Sequence, residues 1–276
     1  MLSSFEFKSI QMNAYVPEHI YPYVTSILKG EAFFFKPFLW YETSGLVFVV
    51  GYPISGNFDR EVFLCLIENL RRERPHSKVS AILPYPLQDT EPKSSDFYYI
   101  LDLREVRISQ KTKNMIKRAK REVTFELQKD LTIDHLRLID EFLKEKLLNP
   151  QMSKIYRQIS AYVEKSDHST IISAYDKKGS LIAFSIVDTS SSDYAFYMFN
   201  IRTKKDYVPG TSDLLFEVMI DLSKAESKRF INLGLKINEG IGFFKEKWGA
   251  KPHLPYYLYE WEANKKPMDL LLEKLV

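Results

Sequence analysis

Lys245 draws attention through its neighbours. Residues 239–248 read Glu-Gly-Ile-Gly-Phe-Phe-Lys-Glu-Lys-Trp, a helical stretch that Gly249 closes. Ile241, Phe244 and Trp248 recur at helical spacing and mark an inward stripe. Lys245 falls beside Ile241 and Trp248, on or next to that stripe. An ammonium held there can stabilise a developing oxyanion, or protonate a leaving group if burial lowers its pKa. The competing reading is a solvated lysine beside Glu246 and Lys247. A second stretch, Tyr207-Val208-Pro209-Gly210-Thr211-Ser212-Asp213, runs into another helix. Gly210 permits a sharp turn and a close backbone approach. Unpaired N–H groups and the dipole at a helix start favour an anion, so Val208, Gly210, Thr211 and Ser212 are candidate contacts. Arg202, Lys204 and Lys205 add positive charge upstream. Asp213 works against an anion, and Pro209 removes one N–H. Ser212 as a simple helix cap is an equally good reading.

Between these stretches lie two amides. Asn232 and Asn238 bracket the strand end Leu233-Gly234-Leu235 and can bind a carbonyl or an amine, although Asn238 is also well placed to cap the helix that follows. Tyr197 and Asn200 sit on the strand 194–200, where Tyr197 alternates with Phe196 and Met198, so one face can line a cleft and the other a core. Glu239 and Asp188 are the carboxylates available as a general base. The helix after Ser109 carries Lys111, Lys113, Lys117, Arg118, Lys120 and Arg121. It can bind an anionic partner, or be a solvated helix packed through Met115, Ile116 and Ala119. His19, His76, His135, His168 and His253 are dispersed, with no His-x-x-x-His or cysteine pair, so no metal site is expected. Neither a phosphate-binding Gly-x-x-x-x-Gly-Lys-Ser/Thr loop nor a Gly-x-Ser-x-Gly turn occurs.

The elements that must position these residues follow from pattern. Strands are expected at Phe33 to Tyr41, Leu46 to Tyr52, Val79 to Leu83, Phe97 to Leu103 and Val123 to Leu127. Asp59 caps a helix to about Arg72, with Val62, Leu66 and Leu70 on one side and Cys65 packed among them. Residues 1–30, with Pro17 and Pro22, admit only short helices. Thr132 or Asp134 caps a helix with the stripe Leu136, Ile139, Phe142, Leu143 and Leu147. Beyond Pro150, Ile155, Ile159 and Val163 mark a second helix. A three-strand meander over 170–200 comes next. Then come a helix over 213–228, a strand at 230–235, a helix at 239–248, a strand at 256–262 and a terminal helix at 268–275.

Helices, an antiparallel meander, then helix–strand–helix–strand resembles the second half of a GNAT N-acyltransferase over about 131–262. The Phe-Lys-x-x-Trp-Gly ending at 244–249 resembles the FemABX branch of that superfamily. The resemblance implies an α/β fold with a mixed, mainly antiparallel sheet flanked by helices. It also implies two GNAT-like units, 1–130 and 131–276, with a cleft between them for the acceptor. Lys245 stands where many GNAT enzymes keep a tyrosine that protonates the leaving thiolate. Lys245, Asn238 and Tyr197 become catalytic candidates. Val208, Gly210, Thr211, Ser212 and Asn232 become donor-binding candidates. The 207–212 loop departs from the usual GNAT phosphate pattern, with Tyr207 and Ser212 at two of its key places. The implied activity is transfer of an acyl or aminoacyl group to an amine on a small molecule or peptide. No cofactor is covalently bound; acyl-CoA or aminoacyl-tRNA is the donor, and tRNA a possible partner. The alternatives are an acyl-CoA-dependent small-molecule N-acetyltransferase and a catalytically inactive GNAT-like binding module.

Composition sets the frame. The 276 residues are 45% hydrophobic and 27% charged, with a formal net charge of +3, as in an ordinary globular chain with no nucleic-acid signature of its own. One cysteine excludes an internal disulfide framework and fits a reducing cytoplasm. The N-terminus does not read as a signal peptide, and no apolar run suits a membrane span.

Overall fold

The computed structural model describes residues 2–88, 90–146, 149–205 and 207–263. The chain opens with helix α1 (Ser4–Met12), a 3-10 turn at Pro17–His19 and helix α2 (Tyr21–Leu28). It forms two compact units, and neither is continuous in sequence. Of the described residues, unit one comprises those within 2–10, 28–96 and 255–263, and unit two those within 11–27 and 97–254.

Unit one holds β1 (Glu31–Phe35), β2 (Phe38–Thr43), β3 (Leu46–Val50), helix α3 (Arg60–Glu73) and β4 (Lys78–Leu83). The expected single strand Phe33–Tyr41 is two strands, because the chain turns at Lys36-Pro37 and pairs back antiparallel, Phe35 opposite Phe38. β2 and β3 are antiparallel, and α3 crosses over to make β4 parallel to β3. The Asp59 side chain accepts from Val62 N at 3.1 Å and so starts α3 as its sequence implies. The buried stripe of α3 is Phe63, Leu66, Ile67 and Leu70. Cys65 is exposed, contrary to expectation, because Phe63 and Ile67 take the inward positions and turn it outward.

Unit two contains most of the expected GNAT-like order. β5 (Ser94–Asp102) leads into α4 (Gln110–Glu122) and β6 (Val123–Gln128). Helices α5 (Ile133–Glu145), α6 (Pro150–Arg157) and α7 (Ile159–Lys165) follow. Next come the meander β7 (Ser169–Asp176), β8 (Leu181–Asp188) and β9 (Tyr194–Arg202), then α8 (Thr211–Ala225), β10 (Phe230–Leu235) and α9 (Glu239–Lys247). The last strand, β11 (Lys251–Trp261), begins here and pairs with β4 from Tyr257 onward in unit one. The strand order in unit two is β5-β10-β9-β8-β7-β6. Residues 97–130 therefore lie with unit two: Val123 to Gln128 pair with β7, and β5 pairs with β10.

Two cores sandwich the sheet of unit two. On one face Ile116 and Ala119 of α4, Leu214, Leu215, Phe216 and Met219 of α8, and Trp248 pack on Tyr99, Leu101 and Ala195. On the other, Leu138 and Ile139 of α5, Tyr162 and Val163 of α7, and Ala14 and Ile20 pack on Phe184, Phe196 and Phe199. In α5, Leu138 is buried and Leu136 exposed, so the stripe runs through 138 and 139. Thr132 N donates to His135 Nδ1 at 3.1 Å, and this side-chain cap closes the first turn of α5. The expected second helix is split into α6 and α7 at Gln158, which sits at φ −97°, ψ 6°. Leu147 and the terminal helix expected at 268–275 lie outside the described residues. Among the described residues, no helix is long and apolar enough to cross a membrane.

Candidate active site

The site is built around the place where β9 and β10 stop pairing. Their parallel register covers Phe230 with Tyr194, Ile231 with Ala195 and Asn232 with Phe196. Beyond that β9 runs on to Arg202 and β10 to Leu235. Both strands carry a bulge just past the last pair. In β9, Val187 faces Tyr197 while Ile186 faces Phe199, so Met198 is the extra residue. Burial records the same switch: Phe196 shares a core with Phe199 and Ile201, a change of parity that simple alternation along the strand does not give. In β10, Asn232 faces Ile100 but Leu235 faces Tyr98, so the β10 side has one residue too many. Gly234 takes it up at φ 72°. A bulge bends its strand and strengthens the local twist. The two bulges lie at one level on neighbouring strands, where the β9–β10 pairing ends.

Lys245 is fixed over this end of β10. It is only 2% exposed. Its Nζ donates to Gly234 O at 2.9 Å and to Leu235 O at 2.5 Å, and lies 5.5 Å from the centre of the Tyr99 ring. Successive carbonyls of a regular strand point to opposite sides. The left-handed Gly234 lets both turn to one ammonium, so the bulge and the lysine depend on each other. The helical stripe thus identified a buried cation correctly.

The other candidates are engaged within the protein. Asn232 is fully buried; its Oδ1 accepts from Gly234 N at 2.8 Å and its Nδ2 donates to Tyr15 O at 2.8 Å. It shapes the bulge. Asn238 is exposed and caps α9, its Oδ1 accepting from Ile241 N at 3.0 Å. Tyr197 lies on the α8/α9 face, stacked on Phe244 at 6.2 Å and edge-on to Phe216 at 5.4 Å. Burial drives its hydroxyl far above the usual tyrosine value. The Asp188 carboxylate is buried, accepting from Tyr162 Oη, Ser166 Oγ and Ser190 N at 2.8, 3.0 and 2.9 Å. Glu239 is exposed and paired with Lys236 at 2.7 Å.

The 207–213 loop is tightly closed. Gly210 is the N-cap of α8 at φ 90°, and a Cβ there would stand 2.5 Å from Met115 O of α4. The glycine is needed for that approach. Thr211 Oγ1 donates to Val208 O at 2.8 Å, and Ser212 Oγ to Asn200 Oδ1 at 3.2 Å. Asn200 in turn donates to Ser185 Oγ at 2.7 Å. Asp213 is buried, where it accepts from Trp248 Nε1 at 3.1 Å and pairs with Lys247 at 2.5 Å, binding α8 to α9. Val208 packs against the core. α4 buries Thr112, Ile116 and Ala119; its outer residues Asn114, Lys117, Arg118 and Arg121 line an open depression of about 260 Å³.

One cluster has no counterpart among the sequence candidates. The 3-10 turn at Pro17–His19 lies on the sheet face opposite α9, and Tyr98 Oη donates to Glu18 Oε2 at 2.7 Å. Glu18 keeps some surface as a residue, but its carboxyl is enclosed, and burial pushes it up to about 7. Tyr15 and His19 meet edge-on at 5.0 Å beside it. Three residues of 3-10 turn have no periodicity, which is why pattern reading passes over them.

No family model matches the chain, and no curated protein matches it by sequence. Solved structures match over almost its whole length. FemX superposes with a TM-score of 0.63 at 9% identity, over 100% of this chain and 98% of that one. L-PGS from Bacillus licheniformis gives 0.60 at 14%, covering 99% and 97%. A tandem GNAT protein from the clavulanic acid biosynthesis pathway gives 0.54 at 15%, covering 83% and 79%. The chain thus has the double-GNAT, FemX-like fold, a mixed α/β architecture flanked by helices.

Proposed function

We propose that this chain transfers an acyl or aminoacyl group to an amine, on a small molecule or a peptide. The observation that carries the reading is the parting of β9 and β10 with the Lys245 ammonium locked across the end of β10. A carbonyl lying in that gap meets a fixed positive charge, and charge aimed at a forming oxyanion is a large source of rate enhancement. The amine nitrogen attacks the acyl carbon, the C–N bond forms, and the bond to the donor oxygen or sulfur breaks. The donor leaves as an alcohol or thiol after taking up a proton. Similarity of fold to FemX and L-PGS supports group transfer as the reaction class.

Aminoacyl-tRNA is the favoured donor. The reason is the closed 207–213 loop: Gly210 is covered by α4, and the hydroxyls of Thr211 and Ser212 are spent inside the protein. That geometry disfavours a CoA pyrophosphate on this helix start. Incubation of the chain with labelled aminoacyl-tRNA, and separately with acetyl-CoA, against a lysine-containing peptide tests the reading. Transfer from aminoacyl-tRNA, lost in Lys245→Ala, is expected. Transfer from acetyl-CoA alone favours the acetyltransferase alternative. Binding without turnover of either donor favours the inactive module.

A further inference from the structure

The proposed reaction still requires a group to take the proton from the amine, and neither Asp188 nor Glu239 is placed to do so. The N-terminal segment supplies a better one. Tyr15 O accepts from the Asn232 side chain, and Asn232 is the last residue of β10 paired to β9. Three residues on, Glu18 is held by Tyr98, whose backbone faces Leu235 across the β5–β10 ladder. Leu235 O is one of the two carbonyls that grip Lys245. Tyr98 and Tyr99 point to opposite faces of β5, Tyr98 to Glu18 and Tyr99 to Lys245. One level of the sheet end therefore has an ammonium on one face and a carboxyl on the other.

We propose that Glu18 is the general base of the transfer, and that the amine approaches the acyl carbon from the face of the sheet that carries the Pro17–His19 turn. This rests on the proposed function. The Glu18 carboxylate takes the proton from nitrogen as the C–N bond forms, while the carbonyl oxygen gains its charge on the Lys245 side. When the tetrahedral intermediate collapses, the C–O or C–S bond to the donor breaks, and the protonated Glu18 gives its proton to the departing oxygen or sulfur. The carboxylate is regenerated and the product is a neutral amide. Enclosure of the carboxyl raises its pKa, the Tyr98 hydrogen bond lowers it, and the balance near 7 suits a group that must both take and release a proton. Tyr98 is a positioning residue. The titratable groups about the turn include Tyr98 from β5 and, on its own segment, Tyr15 and His19.

The test uses the full chain with aminoacyl-tRNA and acetyl-CoA as donors and a lysine-containing peptide as acceptor. Glu18→Gln keeps the shape and removes the base. Its kcat is expected to fall about 100-fold with the donor KM unchanged, and the rise in wild-type rate through pH 7 to disappear. Glu18→Asp should restore part of the rate and the pH dependence, which a merely structural role would not do. Wild-type kcat and an unchanged pH profile in Glu18→Gln overturn the proposal. A second arm needs no substrate: carbon NMR of the chain labelled at glutamate carboxyls should show a midpoint near 7 that is lost in Glu18→Gln. A midpoint near 4.5 for that carboxyl overturns the proposal by itself. If wild type uses neither donor, the transfer reading is what fails, and the NMR titration still decides whether Glu18 can exchange a proton near neutrality.

Discussion

The end of β10 and the start of α8 both belong to unit two, and both turn on a left-handed glycine, Gly234 and Gly210. They are built in opposite ways. At β10 a left-handed glycine breaks the strand, two successive carbonyls turn to one side, and a buried lysine is drawn onto them. At α8 a left-handed glycine lets the loop press against Met115 of α4, and the hydroxyls that follow bond to Val208 and Asn200. One glycine opens the backbone toward a charge; the other closes it onto a neighbouring helix. Under the proposed function, this difference favours a donor recognised somewhere other than the α8 loop.

The comparison breaks first at Lys245. Lys245→Ala should lower the transfer rate by about 100-fold, as loss of an oxyanion partner does. Two carbonyls are also left without their cation, so chemical denaturation should show a loss of about 1–3 kcal/mol. If the rate is untouched, β10 is as inert as α8. Asn232→Ala comes next. It strips Gly234 N and Tyr15 O of a buried partner and should cost about 3 kcal/mol in urea unfolding, with weakened catalysis because the bulge relaxes.

pH separates the two regions further. The Glu18 carboxyl has a higher pKa in the folded chain, about 7, than the ordinary value of 4.5. The folded state then binds the extra proton between those values, so this contribution is complete below about pH 4.5 and is lost as pH rises through 7. Glu18→Gln should remove the slope and make the protein more stable than wild type at pH 8, by about 2 kcal/mol, measured by urea midpoints. The smallest effect sharpens the α8 side. Ser212→Ala removes one partly exposed hydrogen bond and should cost less than about 1 kcal/mol, with no change in donor KM. A large rise in the donor KM would make that loop a binding site after all.

What could be read from the sequence was set by period. β10 runs 230–235 as expected, and the stripe Ile241, Phe244, Trp248 puts Lys245 on or next to the buried face, where it is indeed enclosed. Asp59, Ser109 and Asn238 cap their helices as their types imply. Features that interrupt a period were not legible. The turn at Lys36-Pro37 divided one apolar run into two strands, the extra residue at Met198 changed which side chains share a face, and Cys65 fell on the outer side of α3. Asn232 looked like a ligand group because an amide at a strand end is chemically ambiguous until both its atoms are placed. Glu18 was invisible because its significance comes from Tyr98, far away in sequence.

The most direct test is photolabelling of the full chain with a photoreactive acyl group, carried on CoA in one arm and esterified to a tRNA acceptor stem in the other, followed by peptide mapping. Crosslinks on Tyr197 to Phe199 of β9 and on Leu233 to Leu235 of β10 are predicted, lost to competition by unlabelled donor. Saturable labelling confined to α4 or the 207–213 loop, with both strands untouched, would show that the gap between β9 and β10 does not receive the acyl group.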